Sequence, residues 1–362
     1  MPVPPFASIL RPELADLTSY VPHAGDYAVR LDANEAPGLL SPEAHAVLDR
    51  ALQRTAWNRY PDARMVELRA AIAERCACRP EEVLAGCGSD EVIALLLTAL
   101  DRPREKAAAT TIVTTSPTFV MYKVSARARG MKVVDVPLDA GWDLNVEAMR
   151  RAVEMTRPSI LFIATPNNPT GALMSEDRLR AVIEAAPDAL VVVDEAYVDY
   201  APRSQIALRE RYPNVAVLRT ISKIGFAALR IGWVIASADL VAEVDKVRQP
   251  YSVSAPTQSA AVAVLRELGA EVDRGVGAVI AERQRVAGAL GALGLDVAPS
   301  HTNFLWVGTR RPGKDVFEDL AARGVLVRSF HAAGGRLRDR LRITIGLPAE
   351  NDRLIEELTR CA

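Results

Sequence analysis

Two charged residues stand where charge is costly. Asp194 closes the buried-looking run of ALVVVDEAYVDY, and Lys223 lies in RTISKIGFAALRIG directly after VAVLRTIS. The carboxyl end of a central strand is where open α/β sheets bind ligands. A carboxylate there must be solvated, paired or protonated. Asp194 can therefore accept from a protonated heterocyclic nitrogen, or serve as a salt-bridge partner or helix cap. Tyr197, three residues on, can present a phenol to the same ligand. A lysine after a buried run snorkels, pairs, or is used as chemistry. Partly desolvated, its amine is driven toward the neutral, nucleophilic form that an imine requires.

Alone, the lysine says little; its neighbours add the features of a phosphate site. GCGSDEVIALLL sets Gly86 and Gly88 before Ser89 at an expected helix N-terminus, where free backbone N–H groups and the positive helix end attract anions. Asp90 has the wrong charge to hold phosphate with its side chain. The backbone at Ser89 and Asp90 takes that work, leaving the Asp90 side chain as a candidate cap. Ser222 and Arg230 flank Lys223 with a hydroxyl and a guanidinium. ATPNNPTG follows the apolar run SILFI, and its Asn168 can donate to an oxyanion. Phe119, in SPTFVMY, follows another strand and can stack on a flat ring, although core packing accounts for it nearly as well.

The elements that must position these residues form a pattern. ATTIVTT, MKVVDVPL, SILFIATP, ALVVVDEAY and VAVLRTIS are short apolar runs separated by helical sequence, and IGWVIAS follows. Almost wholly apolar strands alternating with helices indicate a mainly parallel sheet covered on both faces. The connection into IGWVIAS is too short for a helical crossover, so one strand there is expected to be antiparallel. After PYSVSAPTQ come two long helices and then alternating strands and helices, among them HTNFLWVGT, VFEDLAARG, GVLVRSF and DRLRITIG. The division is an N-terminal arm over 1–40, a large α/β domain over 41–270 and a small α+β domain over 271–362. The first helix, capped at SPEA, is free to pack with the small domain.

Composition excludes several classes. Lys plus Arg number 44 against 45 acidic residues, which leaves no basic footprint for nucleic acid or a membrane surface. Four cysteines, Cys76, Cys78, Cys87 and Cys361, are too few for a disulfide scaffold and lack metal-ligand spacing. The N-terminus has no secretory pattern, and VIALLLTAL is too short to span a membrane. A soluble, cytoplasmic protein without bound metal is expected.

TISKIGFAALRIG, VVVDEAYVDY, TPNNPTG, GCGSDE, NRYPD and LRITIG, in this order from about Tyr20 to the end, resemble the fold-type I pyridoxal-phosphate aminotransferases. LDANE and SPTFVMY bring the chain closest to the class II-like histidinol-phosphate aminotransferase family. The resemblance implies a seven-stranded, mainly parallel sheet and pyridoxal 5'-phosphate as cofactor. Lys223 would be the Schiff-base lysine, Asp194 the partner of the pyridine nitrogen, and Tyr197 and Asn168 the holders of the phenolate oxygen. Phe119 would cover the ring, while Ser222, Arg230 and the backbone at Ser89 and Asp90 would grip the phosphate. Tyr60 would reach the cofactor phosphate of a neighbouring subunit, implying a homodimer with shared active sites. Arg342 would bind the α-carboxylate of glutamate; Arg328, with Tyr20 from the neighbouring arm, would recognise the substrate's phosphate.

The implied reaction is ping-pong transfer of the amino group from L-histidinol phosphate to 2-oxoglutarate, in histidine biosynthesis. Cys87 stands where the family usually has asparagine, and Phe119 where tyrosine is common. The spacing of Lys223 and Arg230 is one shorter than in many relatives. VRSF followed by HAAGG departs furthest, and it bears on substrate recognition. The alternatives are an aminotransferase for aromatic or other small amino acids and a decarboxylase of a phosphorylated amino acid.

Overall fold

The computed structural model describes residues 7–19, 23–37, 40–104 and 109–361. Its strands, in chain order, are Val29–Arg30 (β1), Val83–Cys87 (β2), Thr111–Ser116 (β3), Lys132–Pro137 (β4), Ile160–Ala164 (β5), Leu190–Asp194 (β6), Val215–Thr220 (β7), Ile231–Ile235 (β8), Asp296–Val297 (β9), Phe304–Gly308 (β10), Val325–Leu326 (β11), Arg328–Ser329 (β12) and Arg340–Thr344 (β13). Seven of them make one sheet in the order β2-β8-β7-β6-β5-β3-β4. All neighbours are parallel except β8, which runs antiparallel to both β7 and β2. The short connection from Thr220 to Ile231 forces this, because a parallel return needs a crossover.

Helices cover both faces, so successive strand residues enter different cores. Leu161, Ile163, Val191, Val193 and Val217 pack with Met149, Leu179 and Val182 of helices Val146–Thr156 and Glu176–Glu184. The alternate residues Ile160, Phe162, Val192, Ala216 and Leu218 pack with Val92, Leu96 and Tyr122 of helices Gly88–Ala99 and Met121–Arg127. This two-sided burial is why ILFIA and LVVVD carry no polar alternation, and why Asp194 must emerge at the strand end.

A second sheet, β12-β13-β10-β9, is antiparallel throughout. Helices Gly269–Ala292 and Pro348–Cys361 contribute Val286, Leu290, Leu354 and Leu358 to its core. The run GVLVRSF, expected as one strand, is two: β12 pairs with β13, whereas β11 pairs in parallel with β1. The last part of the expected N-terminal arm is thereby stitched in, with the Leu31 amide donating to Leu326 and the Thr344 amide to Leu31. Ser41 caps helix Pro42–Gln53 by accepting from the Ala44 amide.

The segment after β12 is strapped to the large sheet. The Arg336 guanidinium lies 3.5 Å from the centre of the Trp142 ring and donates to the carbonyls of Leu138, Asp139 and Ala140. Trp142 meets Trp306 edge-on, and Trp306 meets Phe330 the same way. Among the described residues no helix is long and apolar enough to cross a membrane, and no group of three or more His, Cys, Asp or Glu could hold a metal ion.

Candidate active site

Strands β3, β5, β6 and β7 are parallel, so the segments leaving their carboxyl ends converge on one edge of the sheet. They line a cleft of about 520 Å³. Its wall holds Ser89, Asp90, Phe119, Asn168, Asp194, Tyr197, Ser222, Lys223 and Arg230 from the seven-stranded unit, and Arg328 and Arg342 from the four-stranded sheet. Asp32, Ala33 and Asn34 close it from the N-terminal side.

Asp194 ends β6 and is buried. Its Oδ1 accepts from the Ala196 amide at 2.9 Å and its Oδ2 from the Tyr122 hydroxyl. Burial pushes the carboxyl up to about 6, against those two donors, while the charges of Asp90 and Glu195 push the same way as burial. The fully buried Tyr122 phenol is held well above its ordinary range by burial and then by the Asp194 charge, so it serves as a donor. Glu195, the next residue, is locked elsewhere. It accepts from Arg219 Nη2 at 2.8 Å and Nε at 3.0 Å, from the Ser204 hydroxyl, and from the Gln205 amide.

Lys223 sits in the irregular turn Ser222–Phe226, pinned by the Tyr200 hydroxyl, which donates to its carbonyl at 2.6 Å. Its ammonium has no carboxylate partner among the described residues. It opens into the cleft, 5.9 Å from the centre of the Tyr197 ring.

Backbone geometry builds an anion cradle beside it. Gly88 starts its helix with φ +81°, and a Cβ there would lie 2.7 Å from Arg230 Nη2. A Cβ at Gly232 would lie 2.2 Å from the Ser89 nitrogen. Only glycine lets strand β8 pass under this helix start and the guanidinium come down over it. Arg230 itself is left-handed, at φ +48°. The Thr220 hydroxyl lies 2.9 Å from Ser222 Oγ and fixes it. Two free helix-start amides, a hydroxyl and a guanidinium around one space fit a phosphate.

The sequence offered Asp90 as a cap, and this is not what it does. The cap position is Cys87, so Asp90 falls inside the first turn, where its Oδ2 lies 3.4 Å from Arg230 Nη2. The Cys87 amide is taken by Glu91 instead.

Asn168 Oδ1 accepts from Arg342 Nη1 at 2.8 Å, which leaves its Nδ2 to donate. The Tyr197 hydroxyl accepts from Asn34 Nδ2 at 2.8 Å, which leaves its proton to donate. Together they offer two donors to an oxyanion. Phe119 lines the cleft and stands edge-on to Tyr122, with centroids 5.5 Å apart. Arg328 and Arg342 are direct cross-strand partners, so both side chains leave the same face of the sheet. Arg342 is further held by the Asp32 carbonyl at 2.5 Å. The Arg328 side chain has no hydrogen bond or ion pair with a described residue.

Of the two residues expected to serve a neighbouring subunit, only Tyr60 is described, and it is not in this cleft. Tyr20 lies outside the described residues. Tyr60 is 81% exposed and stacks on Tyr251 at 4.7 Å, over a separate hollow of about 380 Å³ lined also by Trp57, Pro61 and Pro256. Conversely, Tyr122, Asn34 and Phe330 were not singled out. Tyr122 lies three residues after Phe119 in the first turn of the following helix, a readable spacing, whereas the partner of Asn34 lies 163 residues away and left no local signal.

The class I and II aminotransferase family profile matches residues 27–358. The chain is 40% identical over 360 residues to a histidinol-phosphate aminotransferase of Methylibium petroleiphilum, covering 98% of this chain and 95% of that protein. It is 38% identical to one of Chromobacterium violaceum, covering 97% of each. Among solved structures it is similar to the histidinol-phosphate aminotransferase of Sinorhizobium meliloti in complex with pyridoxal-5'-phosphate. That match has a TM-score of 0.85 and 25% identity, and covers 98% of this chain and 97% of that one.

Proposed function

This chain belongs to the class I and II aminotransferases and, within them, to the histidinol-phosphate aminotransferase family, and we propose that it moves the amino group of L-histidinol phosphate to 2-oxoglutarate, giving imidazole-acetol phosphate and L-glutamate. It is a fold-type I enzyme using pyridoxal 5'-phosphate. The observation that carries the substrate reading is the pairing of Arg328 with Arg342 on one sheet face above Lys223 and Asp194. A single site that accepts a phosphorylated amine and then a dicarboxylate needs two guanidinium forks, one for the phosphate and one for the α-carboxylate that the phosphorylated amine lacks.

When bound, the cofactor supplies the aldehyde that takes up the amino group and the ring that spreads the charge left by proton removal. The amides of Ser89 and Asp90, the Ser222 hydroxyl and Arg230 would hold its phosphate. Asp194 would hold its ring nitrogen, Tyr197 and Asn168 its ring oxygen, and Phe119 would cover one face. Lys223 Nζ would attach to it, and once released would carry the proton from the amino-bearing carbon of the substrate. Arg342 orients the carboxylate of 2-oxoglutarate. Arg328 serves the phosphate of one substrate and the distal carboxylate of the other.

The reading extends to a cytoplasmic homodimer with shared sites, organised as the arm 1–40, the large domain 41–270 and the small domain 271–362. In it Tyr60, and Tyr20 from the arm, serve the partner's cleft. The exposed aromatic surface of Trp57, Tyr60 and Tyr251 supports this, since large contiguous apolar patches mark association sites. The test is initial-rate kinetics. Parallel double-reciprocal lines with histidinol phosphate and 2-oxoglutarate are expected, with far lower kcat/KM for phenylalanine, tyrosine or aspartate as donor. Preference for an aromatic amino acid, or carbon dioxide release from phosphothreonine, would overturn the assignment.

A further inference from the structure

We propose that Tyr122 is a positioning residue for the cofactor ring: its hydroxyl holds the Asp194 carboxylate toward the ring nitrogen, and its ring props Phe119 against the ring face. This rests on the reading of Asp194 as partner of that nitrogen.

The geometry is specific. Tyr122 is wholly buried in the first turn of helix Met121–Arg127. Phe162 of β5 stacks on it at 4.6 Å with planes 6° apart, and Phe119 stands edge-on to it. The phenol is thus clamped on its flat face, and its oxygen is delivered to Asp194 Oδ2 while the Ala196 amide takes Oδ1. The charges and titratable groups around Asp194 are Asp90 on helix Gly88–Ala99, Glu195 and Tyr197 on its own segment, and Lys223 across the cleft. Two of these are carboxylates that disfavour a further negative charge. Burial disfavours it more, so without a donor the Asp194 carboxylate would take up a proton at higher pH and lose its hold on a protonated nitrogen. The hydroxyl counters this from the wall of the cleft, through its bond to Asp194 Oδ2.

The test uses pyridoxal phosphate affinity of the apo-protein across pH, measured by fluorescence quenching. Comparison between variants cancels the cofactor's own titrations. Tyr122→Phe keeps the stacked ring and removes only the hydroxyl. It is expected to move the acid limb of binding up by about one pH unit, so that affinity falls about twofold at pH 7, close to tenfold at pH 5 and hardly at all at pH 9. In an Asp194→Asn background the same change is expected to alter affinity less than about twofold at every pH, because its effect runs through the carboxylate. A loss of equal size at all pH values, or of equal size in both backgrounds, would overturn the proposal in favour of simple packing. An unchanged affinity profile would overturn it as well. If Asp194→Asn alone binds cofactor like the wild type, the Asp194 reading itself falls, and the Tyr122 role with it.

Discussion

Asp194 is a liability to the empty protein. In the folded chain its carboxyl titrates at about 6 instead of 3.8, with burial as the largest cause. The folded state therefore binds this proton more tightly than the unfolded chain does. Stability from this group is fullest below the unfolded value and is lost as pH rises through the folded one. A gap of about two units corresponds to about 3 kcal/mol of destabilisation at pH 8 and about half of that at pH 5. Asparagine carries no charge, and the Tyr122 hydroxyl can turn to accept from its amide. The cofactor-free Asp194→Asn protein is therefore expected to be more stable than the wild type at pH 8, and its advantage should shrink by about 1.5 kcal/mol at pH 5. Urea unfolding of both apo-proteins at equal concentration, at the two pH values, measures this as a shift of midpoint at constant slope. Saturating pyridoxal phosphate should reverse the order, because only the carboxylate rewards the ring nitrogen. A stability difference independent of pH, or a variant that is weaker at pH 8 than at pH 5 relative to wild type, would refute the reasoning.

Borohydride reduction of the loaded enzyme should bleach its visible absorbance and leave the label on the peptide carrying Lys223, and Lys223→Ala should be inactive; label on another lysine would contradict the assignment. Gly232→Ala places a Cβ 2.2 Å from the Ser89 nitrogen, so the helix start must move at a cost of about 1–3 kcal/mol, and cofactor affinity should fall at least tenfold by the same titration. Arg342→Ala should raise KM for 2-oxoglutarate about a hundredfold, consistent with about 3 kcal/mol for a charge-assisted contact, while the half-reaction with histidinol phosphate in single turnover falls much less. Mixed dimers of Tyr60→Phe and Lys223→Ala chains should recover activity at limiting cofactor beyond the sum of the parents; mixed dimers that never exceed that sum would place Tyr60 outside the partner's site.

The large sheet was legible because two-sided burial leaves an unambiguous mark: ILFIA and VVVD are apolar at every position, and a charge at their ends has nowhere else to go. The glycine-lined helix start under Arg230 was legible for a similar reason, since glycine before a helix start is a local signal. What escaped depends on distant chain. The Asn34–Tyr197 bond joins residues 163 apart in sequence, and β1 finds its partner in β11, near the other end of the chain. No periodicity within LDANE or GVLVRSF reports such pairings. Asp90 was misread for a different reason: a shift of the helix start by a few residues converts a cap into a first-turn side chain.

The buried pair of Glu195 and Arg219 has a consequence beyond the strand end it stabilises. Two adjacent acidic residues remain folded side by side because one of them is answered from β7. Without Arg219, Glu195 must either take up a proton or stand as a second negative charge next to Asp194, and breaking such a buried pair costs about 3–5 kcal/mol. Neither outcome alters a group that meets substrate. Because cofactor binding favours the folded state by mass action, the lesion would be conditional. A cell carrying it would need histidine on poor medium and lose that requirement when supplied with vitamin B6, so genetics would report a nutritional defect where the damage is an unanswered charge.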